Sequence, residues 1–246
     1  MKNKRRNSSV PASEVSANTE EYLEWIYRLS KENDEVTTTD LARKLKVSPA
    51  SVTGMLKRLA ERGMIDYQPY KGIALTPDGR AVAARIIRRH GLIERLLYDV
   101  LRLPWHEVDV VAGRIEHVIT DEVEERIAQL CDYPTTCPHG QPIDMEAPDF
   151  SVRLTRLDAG EEARVSRIGD EEPEFLSYVE ELGLRPGVHV TSLGRAPFNG
   201  PFRIRVGDRE HALGGEVAAE IWVERLTPAP LAGMSEAAPA GSAGTP

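Results

Sequence analysis

The sequence predicts a mainly α chain with β structure confined to its last third. Apolar residues recur at helical spacing in segments between Thr19 and Cys131. A Pro-rich stretch follows at 138–150, and from Ser151 onward short alternating segments separated by Gly-rich turns take over. With 246 residues, 41% of them hydrophobic, the chain can bury a proper core and is expected to make two or three modest domains. No apolar run reaches the roughly 18 residues of a membrane span, and the basic start "MKNKRRNSSV" has no apolar stretch of a secretory signal. The cytoplasm is the expected compartment, and no membrane partner is expected.

Residues 1–16 are polar and expected to be a disordered basic tail, and the Ala-, Pro- and Gly-rich end at 228–246 is expected to be a disordered tail as well. "NTEEYLEWIYRLSKE" reads as a helix with Asn18 or Thr19 as its cap and apolar residues at 22, 23, 26, 27 and 29. A second helix follows at "TTTDLARKLKV". The third opens on Ser48-Pro49, a cap followed by Pro at the first helical position. It carries Val52, Met55, Leu56 and Leu59 on one face and stops at Gly63. "MIDYQPYKGIALT" gives two short strands around a turn. Thr76-Pro77-Asp78 then caps a long helix expected to run to about Leu101, with Pro104 as its breaker. A further single helix is expected from Trp105 to about Cys131, so the middle of the chain is a pair of long helices suited to dimerisation. Beyond the linker at 141–150, "VRLTRL", "ARVSRI", "HVTSL", "FRIRVG" and "EIWVERL" read as strands of a small β-barrel, with one helical stretch, "PEFLSYVEELGL".

Two helices, a turn and a hairpin after the first helix make a winged helix-turn-helix over 17–76. The charge agrees with a nucleic-acid role. The whole chain carries −8, yet residues 1–89 hold 17 Lys+Arg against 11 Asp+Glu, while the rest holds 14 against 28. Ser48, Pro49, Ala50, Ser51 and Thr53 open the helix that would meet base edges, and Arg43, Lys57, Arg58 and the wing residue Lys71 suit phosphates. The bland alternative is a unit that only packs other domains.

The residues able to carry chemistry pair up at face-sharing spacing. Glu21 and Glu24 are three apart on the first helix, His90 and Glu94 four apart on the long one, and Glu116-His117 are adjacent beside an apolar stripe. Each pair has an ordinary reading on its own: a capping box with Asn18, a surface salt link, a packing histidine. Cys137 and His139 follow in "CDYPTTCPHGQPI". In a reducing compartment Cys131 and Cys137 are better read as free, catalytic or metal-bound than as bridged. Carboxylates and imidazoles with at most one thiolate suit Mn(II) or Fe(II) rather than a structural zinc site. No catalytic triad, phosphate loop or zinc-protease motif is present, so neither an enzyme nor a small-molecule substrate is expected.

Taken together, "TEEYLEWIYRL", "SPASVTGMLKRLAERGMI", "LTPDGR", "RRHGLIERLL", "IEHVITDEVEERI", "CPHGQPI" and "ELGLRPG" resemble the diphtheria-toxin-repressor and manganese-transport-regulator family over residues 18–226. The resemblance implies a homodimeric repressor that binds double-stranded operator DNA when loaded with Mn(II) or Fe(II). It also implies a helical dimerisation and metal-binding domain at 77–140 and an SH3-like domain at 151–227. Carried over by position, it implies a primary metal site from Glu21, Glu116 and His117, and a second from His90 and Glu94 with Cys137 and His139. A barrel-domain carboxylate among Asp170, Glu171 and Glu174 would complete the latter, and Cys131 would be a packing residue. Two departures stand out. Gly113 occupies a position where the family usually supplies a side-chain ligand, leaving only a backbone carbonyl. Glu21 and Glu24 match the manganese type, and their hard oxygens favour Mn(II), although Zn(II), Co(II) or Cd(II) could bind more tightly in vitro. The competing expectations are a winged-helix sensor of an oxidant or small ligand working through Cys137, and a protein-interaction module in the barrel.

Overall fold

The structure is a computed structural model that describes residues 15–32, 35–68 and 72–226. The chain divides into two units. One takes the chain through Asp149 together with Asp170–Glu181, and the other takes Phe150–Gly169 and the chain from Leu182.

In the first unit, α1 (Ala17–Glu32) starts ahead of the expected cap. Ser16 is the residue that satisfies the first turn, its hydroxyl 3.4 Å from the Thr19 N–H. The expected face of Tyr22, Leu23, Ile26, Tyr27 and Leu29 is buried. At about 1.5–3 kcal/mol for each large apolar side chain, this burial outweighs any propensity difference along the helix. It packs into one core with Leu41 of α2 (Thr38–Lys44) and with Val52, Leu56 and Leu59 of α3 (Pro49–Glu61). The Ser48 hydroxyl accepts from the Ser51 N–H at 3.2 Å, Pro49 takes the first helical position, and Gly63 ends the run with φ +70°. β1 (Ile65–Tyr67) and β2 (Ile73–Leu75) pair antiparallel, Ile65 opposite Leu75. The tip of this wing, with Lys71, lies outside the described residues, as do residues 1–14 and 227–246; Val15 and Ser16, expected in the tail, are described, and Val15 packs against the core.

α4 (Pro77–Arg95) starts at its Thr76 cap and continues into a wider π-helical turn over Leu96–Val100, so the helical run ends where expected, next to Leu101. One helical expectation needs correction. The single helix expected over 105–131 is two, α5 (Val108–Ile115) and α6 (Asp121–Leu130). The break has a local cause. Val118, Ile119 and Thr120 are β-branched, and the Thr120 hydroxyl accepts from the Val123 N–H at 3.3 Å, starting a new helix whose first turn holds Asp121, Glu122 and Glu124. Glu116 and His117 therefore sit at a helix end, free of its regular spacing. A second core joins Leu92, Ile93 and Leu97 to Val108, Ala112, Ile127, Ala128 and Ile143.

The second unit is a six-stranded antiparallel sheet consistent with an SH3-like domain. Its strands are β3 (Val152–Arg153), β4 (Glu162–Ile168), β5 (His189–Arg195), β6 (Phe202–Val206), β7 (Arg209–Leu213) and β8 (Ile221–Arg225), in the order β3-β8-β4-β5-β6-β7. "VRLTRL" is a two-residue strand followed by a 3-10 turn, and β7, with its charged "REH", was not legible as a strand. α7 (Pro173–Glu181) belongs to the first unit, and the short α8 (Gly215–Ala219) precedes β8.

Candidate metal centre and nucleic-acid interface

One buried face of α4 carries His90 and Glu94, a turn apart, and the 136–143 segment lies over it. Gly91 makes that approach possible. A Cβ there would meet Ile143 Cγ1 at 2.7 Å and Cys137 Cβ at 3.6 Å. Arg95, one turn on, donates from Nε to the Thr136 carbonyl at 2.7 Å and from a terminal nitrogen to the Cys137 carbonyl at 3.1 Å. A tight turn closes at Gly140, φ +89°, whose N–H donates to the Cys137 carbonyl at 3.0 Å.

This brings together an inner group of Glu94, Cys137, His139 and Glu171, one ligand-type atom from each lying within 4.8 Å of the others. His139 Nδ1 is 2.8 Å from Glu94 Oε1 and 3.8 Å from Glu171 Oε1. The shorter approach lacks hydrogen-bond alignment. Among the described residues, all three of these atoms are buried without an aligned hydrogen bond; the close His139–Glu94 ion pair offsets part of that cost, and a cation would satisfy the carboxylate oxygens that remain. The opposite ring nitrogen, His139 Nε2, donates to the Trp105 carbonyl at 2.9 Å and so turns Nδ1 inward. Trp105 itself donates to the Pro138 carbonyl at 3.0 Å.

Buried carboxylates and an imidazole set the electrostatics of the inner group. Burial opposes charge on His139, but the Glu94 carboxylate and then Glu171 raise its pKa to about 9. Burial, then Glu94 and Glu171, hold the Cys137 thiol well above its ordinary range. Burial also raises the Glu171 carboxyl to about 7 against the pull of Arg28. Burial works against the Glu94 carboxylate too, yet His139 and His90 together carry it below the ordinary value.

An outer group adjoins the inner one. His90 Nδ1 is 2.5 Å from Glu116 Oε2, and Nε2 is 3.2 Å from Asp109 Oδ1. Burial disfavours charge on this ring, but Glu94, Asp109 and Glu116 raise its pKa well above normal. His117 Nδ1 is 2.8 Å from Glu20 Oε2, and its Nε2 is 3.4 Å from Glu116 Oε1. Glu24, buried on α1, accepts from Arg28 Nε at 2.9 Å.

The structure thus draws His90, Glu94, Glu116, His117, Cys137, His139 and Glu171 into two adjoining groups, with Glu24 alongside. Glu21 is exposed at their edge; partial burial and then Glu24 raise its carboxyl, while His117 opposes them. Asp170 accepts from the Glu172 N–H at 3.1 Å and Glu174 is exposed, so neither joins Glu171. Gly113 is exposed, and a Cβ there would meet nothing within 4 Å. Sequence reasoning missed Glu20 and Asp109. Both had a signal: Glu20, Leu23, Glu24 and Tyr27 share one helical face, and Asp109 lies two turns before Glu116.

On α3, Ser48, Pro49, Ala50, Ser51, Lys57 and Arg58 are exposed, as is Arg43 on α2, which pairs with Asp40 at 2.8 Å. Thr53 is half-buried and donates to the Pro49 carbonyl at 2.9 Å, while the Ser48 and Ser51 hydroxyls lie 2.9 Å apart. The arrangement presents a helix start with two cations farther along, as a groove-reading helix requires.

Three family models match the chain: the iron dependent repressor N-terminal DNA binding domain over residues 14–73, the iron dependent repressor metal binding and dimerisation domain over 76–145, and the FeoA domain over 152–225. The iron-dependent repressor IdeR of Mycobacterium leprae is 33% identical over 224 residues, covering 85% of this chain and 97% of the relative. The diphtheria toxin repressor of Corynebacterium efficiens is 35% identical over 187 residues, 70% of this chain and 81% of the relative. Among solved structures, a manganese-dependent transcriptional repressor in complex with manganese superposes with a TM-score of 0.78 at 29% identity, covering 85% of this chain and all of that one. ScaR with bound Cd2+ superposes at 0.75 and 30% identity over 85% of this chain.

Proposed function

This chain belongs to the iron-dependent repressor family, and on that premise we propose that it is a metal-dependent transcriptional repressor that binds operator DNA as a homodimer and answers to Mn(II). Fe(II) is the second candidate ion. The observation that carries the reading is the convergence of Glu94 Oε1, His139 Nδ1 and Glu171 Oε1, all buried and none in an aligned hydrogen bond, beside the Cys137 thiol. Such a donor set fits a divalent transition metal, and Glu94, Cys137, His139 and Glu171 are the residues that would hold it. His90, Asp109, Glu116, His117 and Glu24, with Glu21 at the edge, would form an adjoining primary site, weakened by the lack of a side-chain ligand at Gly113. Carboxylates outnumber the single thiol, which supports Mn(II) over softer ions. When bound, the ion supplies a double positive charge that draws these side chains together.

The chain's own residues supply the rest. α1 carries Glu20 and Glu24 on the face it turns to α4, and its apolar face shares a core with α2 and α3. A pull on α1 from the metal groups is therefore a pull on the recognition helix. We assign DNA binding to residues 17–76, with Arg43, Ser48, Pro49, Ala50, Ser51, Thr53, Lys57, Arg58 and the wing's Lys71 at the contact. We assign metal binding and dimerisation to 77–140, a linker to 141–150, and the SH3-like domain to 151–227; within those bounds the Asp170–Glu181 stretch that carries Glu171 belongs to the first unit. A groove lined by Leu96, Val123, Ile127 and Leu130, with Val123 and Leu130 exposed, supports a self-associating face. Burial of Cys137 and its raised thiol weigh against a redox role, which needs an accessible thiolate.

The test is fluorescence anisotropy of DNA from the protein's own upstream region, after chelation, with Mn(II), Fe(II) kept reduced, Zn(II) or no metal. Tight binding with Mn(II) and none with chelator is expected. Equal binding with and without metal would remove the switch.

A further inference from the structure

We propose that Arg28 is a built-in cation standing in for a second metal ion, so that each chain binds one ion tightly, in the Glu94, Cys137, His139 and Glu171 group. The inference rests on the metal-sensing reading above and concerns how its two adjoining groups divide the work. Arg28 lies one turn after Glu24 on α1, with Nε and one terminal nitrogen each 2.9 Å from Glu24 Oε1. Its other terminal nitrogen is 3.4 Å from Glu171 Oε2. The guanidinium thus links a carboxylate of the outer group to Glu171, a carboxylate that lies in both the inner group and the His90–Asp109 group.

The chemistry of the side chain decides what this contact does. A guanidinium presents five donors and no acceptor and keeps its proton, so it neutralises carboxylates but never ligates a metal. An imidazole makes room for an ion by losing a proton; Arg28 has no such route. Its side chain is 18% exposed and that of Glu24 8%, a setting in which a fixed charge is poorly screened. An ion entering among Glu24, Glu116 and His117 meets that standing charge on a carboxylate it needs. It also meets Glu20 already held by Arg85 at 3.1 Å and His117 at 2.8 Å, and no side chain at Gly113. The inner group is treated in the opposite way. Arg28 engages Glu171 Oε2 and leaves Oε1 turned to His139 without a hydrogen bond. One arginine therefore positions a ligand for the inner ion while occupying the charge space of an outer one.

The experiment is a count of bound ions. Full-length wild type, R28Q and R28K are dialysed against buffered free Mn(II), and metal per chain is measured by mass spectrometry, with a melting curve in chelator to establish folding. Wild type and R28K, which keeps the charge, should hold one ion in the tight phase. R28Q should gain a second ion, its second binding step tightening by about tenfold or more once the charge is gone, and should melt lower than wild type in chelator. Two ions of equal affinity in the wild type, or a single ion in R28Q, overturn the proposal; if R28Q does not fold, R28M, whose apolar stem can keep the place over Trp25 without the charge, is counted instead and a single ion there overturns the proposal. No tightly held ion in any of the three overturns instead the metal-sensing reading, which separates the two failures.

Discussion

Before an ion binds, Cys137 and His139 are protonated: burial, then Glu94 and Glu171, hold the thiol's proton, and the same two carboxylates hold the imidazole's against the opposing effect of burial; those carboxylates would favour a dication in the protons' place. At pH 7 a binding ion must displace the proton on the thiol, the one on His139 Nδ1 and about half a proton from Glu171, whose carboxyl lies at about 7. Calorimetry in buffers of different ionisation enthalpy should then register about two to three protons released per ion. Affinity should weaken by up to about tenfold per proton for each pH unit lowered from 9. Release of no proton would show that these two side chains are not ligands. The sign for the metal-free protein is the reverse. His139 has its pKa raised to about 9 by folding, so its contribution to stability is complete below about pH 6.5 and is lost as pH rises through 9. Melting in chelator should therefore fall between pH 6.5 and 9. C137S should cost at least the roughly 10–100-fold in Mn(II) affinity seen for lost supporting groups, while leaving the metal-free melting temperature near that of wild type.

Between residues and molecule stand a few local devices. Gly91 sits inside α4, where glycine is a poor helix former by about 1 kcal/mol against alanine, yet the segment bearing Cys137 and Ile143 closes directly over it. G91A should accordingly destabilise the metal-free protein by about 1–3 kcal/mol through overpacking, despite its better propensity. Urea denaturation measures this, and a higher midpoint would mean that the segment yields freely. Substitution of Lys57 or Arg58 on α3 by Ala should weaken DNA binding evenly across sequences and lower the salt slope of log K by about 1 each. An unchanged slope in both variants would place those cations away from phosphate.

For the whole molecule the requirement is a coupling between metal and DNA, which is reciprocal. A tenfold to hundredfold gain in operator affinity on adding Mn(II) needs only about 1.4–2.8 kcal/mol of coupling. The α1 contacts with α4 and the shared α1–α2–α3 core provide a path for it. Saturating operator DNA should then tighten Mn(II) binding by the same factor, measured by competition with a fluorescent chelator. Metal affinity indifferent to DNA would leave the ion a structural role alone. In a dimer the paired recognition helices should meet half-sites about 34 Å apart, which footprinting on the upstream region would show as two protected blocks one helical turn apart.

Periodicity, caps and punctuation determined the amino-terminal half of the fold. The α1 face, the Ser48-Pro49 start, the Gly63 stop and the Thr76 cap are local signals, and local hydrogen bonds and spacing are enough to express them. The same signals were present at Thr120, where a β-branched run and a cap divide 105–131 into two helices, but the continuing apolar pattern masked them. The family motif marked His90, Glu94, Cys137 and His139 as candidates. Which carboxylates would stand beside them was a tertiary matter. Glu171 rather than Asp170 or Glu174 reaches His139, Glu20 rather than Glu21 meets His117, and Asp109 closes on His90, because helix phase and chain reversal, not spacing along the sequence, set those distances. Arg28 was read only as part of a helix. Its place between Glu24 and Glu171 depends on a segment 143 residues away, and a long-range contact between charges leaves no periodic trace in a single sequence.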